Sequence, residues 1–310
     1  MPAKMPVAFQ GVLVPLLTPL TRSGSVDREA LKRLLEFVLA AGVHGVFPCG
    51  STGEGPNLTE EMWNAVVETT AETVAGHVPV FVGCIDTSSA RVIQKAKVLR
   101  QYGADYAVVT PPFYFAPSEQ GEIMNHYKTV AHASPVPVYA YNIPQLTNCH
   151  IDPDTAEQLA EVENIAGLKD SSGNFPDFCQ IQSRLRGRTD FGLLQGNENL
   201  IGPSLLMGAT GSVPGSANID PHLHVELFEA AMRANIFVTN RLQFTLIELR
   251  RELLVAPSFM SSLKAAGSIL GLLEPTMTTP ETELPSSKLQ DIRRALVKYG
   301  VMRQAKELLK

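Results

Sequence analysis

The sequence is short of several things, and each shortage excludes something. It has one tryptophan and four cysteines in 310 residues. Cys49, Cys84, Cys149 and Cys179 form no close CxxC-type pair, which argues against a zinc clip. Each stands in or beside an apolar stretch, where a reduced cysteine acts as a small buried hydrophobe. There is no surplus of basic residues: Lys and Arg total 26 against 31 Asp and Glu, for a net charge of −5. Nucleic acid or an anionic membrane would call for the opposite balance. No run of 18 apolar residues marks a membrane span. No charged start, apolar run and small-residue cleavage site marks a signal peptide. The expectation is a cytoplasmic protein, in which the sequon Asn57-Leu58-Thr59 is a chance match. Glycine (23) and proline (22) are near ordinary usage, so collagen-like and linker-rich readings fail. Internal repeats and low-complexity tracts are also missing.

What is there is core material. Hydrophobic residues make up 45% and charged residues 18%, too apolar a balance for disorder. By length alone the chain fits two domains or one α/β barrel. Short apolar runs bounded by Gly, Pro, Ser or Asp stand at 11–17, 45–48, 78–84, 106–110, 136–141, 165–169, 191–195 and 211–213, as strands buried on both faces do. Helix-period stretches alternate with them. In Asp27–Ala41, Leu31, Leu34, Leu35 and Val38 share one face and Arg28, Lys32 and Arg33 the other. Thr59 is a candidate N-cap, and Gly103 a candidate terminator of the helix from Ser88 to Tyr102. Further helices are predicted over 118–133 and 152–161. Eight strand–helix units predict a (β/α)8 TIM barrel. An open doubly wound sheet is the competitor, but the turn after the first strand, Leu17-Thr18-Pro19-Leu20, lacks the glycines of that fold. Beyond about residue 220 only helices are predicted, over 221–235, 237–255, 259–273 and 288–309, with an extended connection at 275–285. The division is therefore a barrel of residues 1–220 and a helical extension of residues 221–310.

Barrel chemistry sits at the C-terminal strand ends. Of eleven lysines, Lys169 alone closes a buried strand; the others are expected on helical polar faces, in loops or at the termini. Desolvation disfavours an ammonium there and exposes a nucleophilic amine, although a strand-end lysine can also snorkel to solvent. Tyr139 and Tyr141 share a face of strand five, and the Tyr141 phenol is near enough to the end to move protons, or simply to line the barrel. Cys49-Gly50-Ser51-Thr52-Gly53-Glu54-Gly55 follows strand two. Its successive N–H groups make an oxyanion nest or an ordinary turn, and it lacks the Gly-Lys-Ser/Thr of a P-loop. Pro111-Pro112-Phe113-Tyr114-Phe115 follows strand four as a ligand wall, an interface or a plug. The seven histidines lie mostly away from strand ends. His222 and His224, two apart, share no helix face, which disfavours a metal-dependent aldolase.

Taken together, Gly50-Ser51-Thr52-Gly53-Glu54, Tyr141-Asn142-Ile143-Pro144 and Gly167-Leu168-Lys169-Asp170 resemble, in order and spacing, the dihydrodipicolinate synthase/N-acetylneuraminate lyase family. The resemblance spans nearly the whole chain. Gly208-Ala209-Thr210-Gly211-Ser212-Val213 and Lys264-Ala265-Ala266 add to it. It implies a metal-free class I lyase or synthase, commonly a homotetramer, with no cofactor beyond a covalent Schiff base. Lys169 would bind pyruvate or another 2-oxo acid, and Tyr141 would transfer protons. Ser51 would link Tyr141 to a second tyrosine, matched by Tyr114 and often lent by a neighbouring subunit. The backbone of Ser51 and Thr52 would hold the carboxylate, with the Val213 carbonyl at the same end. Ser171, Gly196 and Glu198 would meet the aldehyde portion.

Two departures bear on the substrate. The synthases carry an arginine five residues after the strand-five tyrosine; here that place is Leu146, which cannot pair with a carboxylate. The sialic-acid lyases follow the strand-seven glycine with Asp-Glu; here Gly196 is followed by Asn197-Glu198-Asn199, and their strand-eight serine is matched by Gly215. The expectation is a class I aldolase cleaving a 2-keto-3-deoxy sugar acid to pyruvate and an aldehyde. The alternatives are 4-hydroxy-tetrahydrodipicolinate synthase, a sugar-acid dehydratase using the same Schiff base, and a non-catalytic paralogue that binds a 2-oxo acid.

Overall fold

A computed structural model describes residues 8–255 and 258–309. In chain order the elements are β1 (Gly11–Pro15), α1 (Arg28–Ala40), β2 (Gly45–Phe47), α2 (Glu60–Val74), β3 (Phe81–Gly83), α3 (Ser89–Val98), β4 (Tyr106–Val109), α4 (Gln120–Ala133), β5 (Val138–Asn142), α5 (Pro144–Thr147), α6 (Pro153–Leu159), β6 (Ile165–Asp170), α7 (Phe175–Arg184), β7 (Gly192–Gln195), α8 (Ile201–Leu206) and β8 (Gly211–Ser212). Helices α9 (Pro221–Met232), α10 (Ile236–Leu253), α11 (Phe259–Ile269), α12 (Leu289–Lys298) and α13 (Val301–Leu308) follow. The strands lie in the order β2-β1-β8-β7-β6-β5-β4-β3 and pair in parallel. Val46 and Val80 add an isolated parallel bridge. This is a (β/α)8 barrel with C-terminal helices.

The described residues group into two compact units. One holds residues 8–11 and 81–213, and the other 12–80 and 214–309. The first carries β3 to β8. An aromatic cluster fills its interior: the Phe81 ring stacks on Tyr106 at 4.3 Å and meets Tyr139 and Phe9 edge-on. Gly167 on β6 and Gly192 on β7 make the slot for Tyr139. A side chain at either would collide with its ring or hydroxyl. The second unit carries β2, most of β1, α1, α2 and α9 to α13. Its N-caps follow the sequence pattern: Asp27 accepts from Ala30 N and Thr59 from Met62 N. No described helix is long and apolar enough to cross a membrane.

Three expectations are corrected. The single helix predicted over 288–309 is two, because Gly300 takes φ +77° between α12 and α13 and breaks the hydrogen-bond run. Helix α5 was not anticipated, and the helices expected after β6 and β7 take their bounds as α7 and α8. The third concerns lysine. Lys264 on α11 is fully buried in the second unit, where its Nζ meets Glu54 Oε1 at 2.5 Å and donates to the Thr276 carbonyl at 2.7 Å. The Glu54 carboxylate also accepts from Thr278 N and Oγ1 at 2.7 and 2.6 Å. A buried charge of each sign pairs with the other, so Lys169 is not alone inside the protein.

Candidate active site

In the first unit, β5 and β6 pair so that Tyr141 stands opposite Lys169. Both side chains are buried, Lys169 to 5% exposure, and Lys169 Nζ sits 3.8 Å from the centroid of the Tyr141 ring. The lysine therefore does not snorkel. Burial pushes its pKa below the usual lysine value, and Tyr141 pulls it back by charge and hydrogen bonding. A depressed pKa leaves more of the amine unprotonated, the form that attacks a carbonyl.

The next residues follow the same strand ends. Ser171 N donates to the Asn142 carbonyl at 2.8 Å, and Gly196 N to the Asp170 carbonyl at 2.7 Å. Gly196 lies so close to Lys169 and Ser171 that a Cβ there would collide with Ser171 Oγ and stand 3.1 Å from Lys169 Cε. Val213 N donates to the Gln195 carbonyl at 2.8 Å. Glu198 is buried in a short 3-10 turn after β7, while Asn199 beside it is exposed. Lys169, Tyr141, Ser171 and Gly196 thus form one cluster on adjacent strand ends. Tyr114 does not join it within the chain: it is 79% exposed, packed edge-on against Phe115 at 5.1 Å, and plugs nothing. Leu146, on α5, is 57% exposed.

Ser51 and Thr52 belong to the other unit and are half-buried in a tightly wound loop. Cys49 and Glu54 take φ +58° and +56°. A Cβ at Gly53 would stand 2.7 Å from the Leu16 carbonyl oxygen, and one at Gly55 would collide with the Cys49 carbonyl. Thr18 Oγ1 donates to the Gly53 carbonyl at 2.6 Å. Such local strain persists only where surroundings hold it, and here the Glu54 carboxylate is held by Thr278 and Lys264.

Sequence reasoning missed the polar network beyond Tyr141 and Lys169. Asn142 and Asp170 are buried, and the Asn142 amide donates to Asp170 at 2.7 Å. His150, which the sequence reading gave no role, lies 3.2 Å from the same amide. The available signal was the pair of polar residues directly following the two candidate catalytic ones. Among the described residues no group of three His, Cys, Asp or Glu side chains is placed to hold a metal ion.

The chain as a whole resembles known proteins. Residues 8–299 match the Dihydrodipicolinate synthetase family. The 4-hydroxy-tetrahydrodipicolinate synthase of Methanoculleus marisnigri is 31% identical over 294 residues, covering 94% of this chain and all of the relative. That of Neisseria meningitidis serogroup B is 33% identical over 292 residues, covering 94% and 99%. Dihydrodipicolinate synthase from Bacteroides thetaiotaomicron superimposes with a TM-score of 0.90 at 32% identity, over 95% of this chain and 100% of that one. A prophage protein of the dihydrodipicolinic acid synthase family from E. coli K12, solved with pyruvate, gives 0.90 at 25% identity over 94% and 99%. The chain therefore belongs to the dihydrodipicolinate synthetase family, a family of Schiff-base-forming lyases and synthases.

Proposed function

We propose that this protein is a class I aldolase that cleaves a 2-keto-3-deoxy sugar acid, or a related 2-oxo acid, to pyruvate and an aldehyde. The observation that carries the reading is the buried Lys169 amine 3.8 Å from the Tyr141 ring centroid at adjoining strand ends. The amine adds to the C2 carbonyl and water leaves, giving a protonated iminium. The C3–C4 bond then breaks, its electron pair moves toward the iminium, and Tyr141 takes the C4 hydroxyl proton as the aldehyde departs. Protonation of the enamine at C3 and hydrolysis release pyruvate and restore Lys169. Following the family pattern, the backbone of Ser51 and Thr52 holds the carboxylate, with the Val213 carbonyl at the same end. Ser51 links Tyr141 to Tyr114, lent by a neighbouring subunit of a homotetramer. Ser171, Gly196 and Glu198 meet the aldehyde portion. In this reading residues 1–220 are the catalytic barrel, residues 221–310 serve oligomer packing, and the enzyme works in the cytoplasm without a metal.

A second reading has specific support. The Methanoculleus marisnigri and Neisseria meningitidis relatives bear the name 4-hydroxy-tetrahydrodipicolinate synthase, an enzyme that condenses pyruvate with aspartate semialdehyde. Against it stands Leu146, an apolar side chain at the place of a carboxylate-gripping arginine. The test is reduction with borohydride in the presence of pyruvate, followed by mass analysis. A pyruvate adduct on Lys169 is expected; no adduct, or one elsewhere, refutes the Schiff-base reading. A substrate panel then separates the two readings: efficient condensation of pyruvate with aspartate semialdehyde would overturn the argument from Leu146.

A further inference from the structure

Asn142 and Asp170 end β5 and β6 and are register partners, one step beyond Tyr141 and Lys169. The two strand ends are tied through these side chains as well as through the backbone. Asn142 Nδ2 donates to Asp170 Oδ1 at 2.7 Å, and Ser172 Oγ donates to Asp170 Oδ2 at 3.0 Å. Asn142 Oδ1 accepts from Ile151 N at 3.0 Å, which fixes which way the amide faces. Its Nδ2 also approaches His150 Nδ1 at 3.2 Å. An amide nitrogen can only donate, so Nδ1 is the acceptor and the ring proton sits on Nε2. That proton points at Asp177 Oδ2, 3.0 Å away. Asn174 Nδ2 donates to the same oxygen at 2.7 Å, which holds the far end of the line.

The line Asp177–His150–Asn142–Asp170 places a buried carboxylate where two apolar side chains would also close the strand pair. Burying a charge is costly even when it is hydrogen-bonded, and apolar replacements of buried polar pairs are often as stable or more so. What a polar pair adds is a fixed geometry. We infer that Asn142, held by Asp170 and His150, is a positioning residue that locks the ends of β5 and β6 and so keeps the Tyr141 ring over the Lys169 amine. The inference rests on the Schiff-base reading proposed above.

The test measures how fast the borohydride-trappable pyruvate adduct forms, at saturating pyruvate, in the full-length protein. Wild type is compared with Asn142→Ala, Tyr141→Phe and the double variant, with melting temperatures taken in parallel. Loosening a catalytic pair by a fraction of an ångström to 1 Å slows reaction by about 10- to 100-fold, and that loss is expected for Asn142→Ala. If the amide acts through Tyr141, adding Asn142→Ala to Tyr141→Phe costs less than about twofold more, because coupled residues are not additive. A purely structural role gives full additivity instead. Asp170→Asn keeps a carbonyl acceptor for the Asn142 amide and recovers most of the rate lost in Asp170→Ala. Should Asn142→Ala not fold, that pair decides: equal rates for the two Asp170 variants overturn the inference. A wild-type rate in folded Asn142→Ala, or additive losses in the double variant, does the same while leaving Lys169 chemistry intact. If wild type itself gives no adduct on Lys169, the Schiff-base reading falls and takes the inference with it.

Discussion

The buried pair of Glu54 and Lys264 makes a strong demand on stability. Glu54 is 2% exposed and Lys264 fully buried, at 2.5 Å. In Lys264→Met the carboxylate keeps its two bonds from Thr278 but loses its counter-charge. Breaking a buried pair costs about 3–5 kcal/mol, and the remaining Thr278 bonds place the expected loss near the lower figure, about 3 kcal/mol. At roughly 2–4 °C per kcal/mol for a large domain, the melting temperature should fall by about 6–12 °C. Glu54→Gln combined with Lys264→Met removes both charges and should recover about half of that loss or more, since neutral replacements of buried pairs are tolerated. The assay is denaturation of wild type, both single variants and the double variant at neutral pH. A Lys264→Met protein within about 1 kcal/mol of wild type, or a double variant as unstable as the sum of the singles, would refute the reasoning.

Other outcomes follow from the site. Lys169→Met should abolish the pyruvate adduct and raise the melting temperature by a few degrees, because a desolvated amine is replaced by an apolar chain; a lower melting temperature would contradict this. In wild type the rate of adduct formation should climb with pH toward an inflection below 10.5, as the amine loses its proton. Tyr141→Phe removes the neighbour that favours the ammonium, so the inflection should move lower while the rate falls by about 10²- to 10⁴-fold; an inflection that moves higher refutes the pairing. Gly196→Ala would drive a methyl against Ser171 Oγ and Lys169 Cε, so kcat/KM should fall about 10- to 100-fold with the melting temperature changed by no more than about 3 °C. Unchanged kinetics would remove Gly196 from the site.

How much of this was legible in the sequence depends on where each partner sits. The strands lay within three residues of their predicted bounds, because parallel strands buried on both faces read as short apolar runs. Lys169 and Tyr141 were readable for a related reason: a strand's period of two and the strand-end rule together say which side chain reaches the site. The helix predicted over 288–309 failed at Gly300. Amphipathic stretches on both sides carry the period across the break, and only the backbone at φ +77° reveals it. Helix α7 carried a start signal that went unread: Asn174 caps it, accepting from Asp177 N, and Pro176 stands in its first turn.

Charge inside the protein was the least legible feature, and Lys264 and Asp170 show why. Lys264 sits on a helix whose polar face would have taken it to solvent; its partner Glu54 is 210 positions away in the chain, in a turn read for its glycines. Asp170 stands one residue past the strand predicted over 165–169. It is the last residue of β6, as buried as the lysine before it, because Asn142 and Ser172 meet both its oxygens. Hydrophobic burial is a property of a single side chain and leaves a local pattern. Burial of a charge is a property of a pair and appears in the sequence only when both members fall in one motif. Tyr141-Asn142 and Lys169-Asp170 come close to that condition. Each places a candidate catalytic residue next to a polar one, and strand pairing at a single register joins the two polar residues. The register that brings phenol to amine therefore also brings amide to carboxylate, so the site and its brace form or fail together.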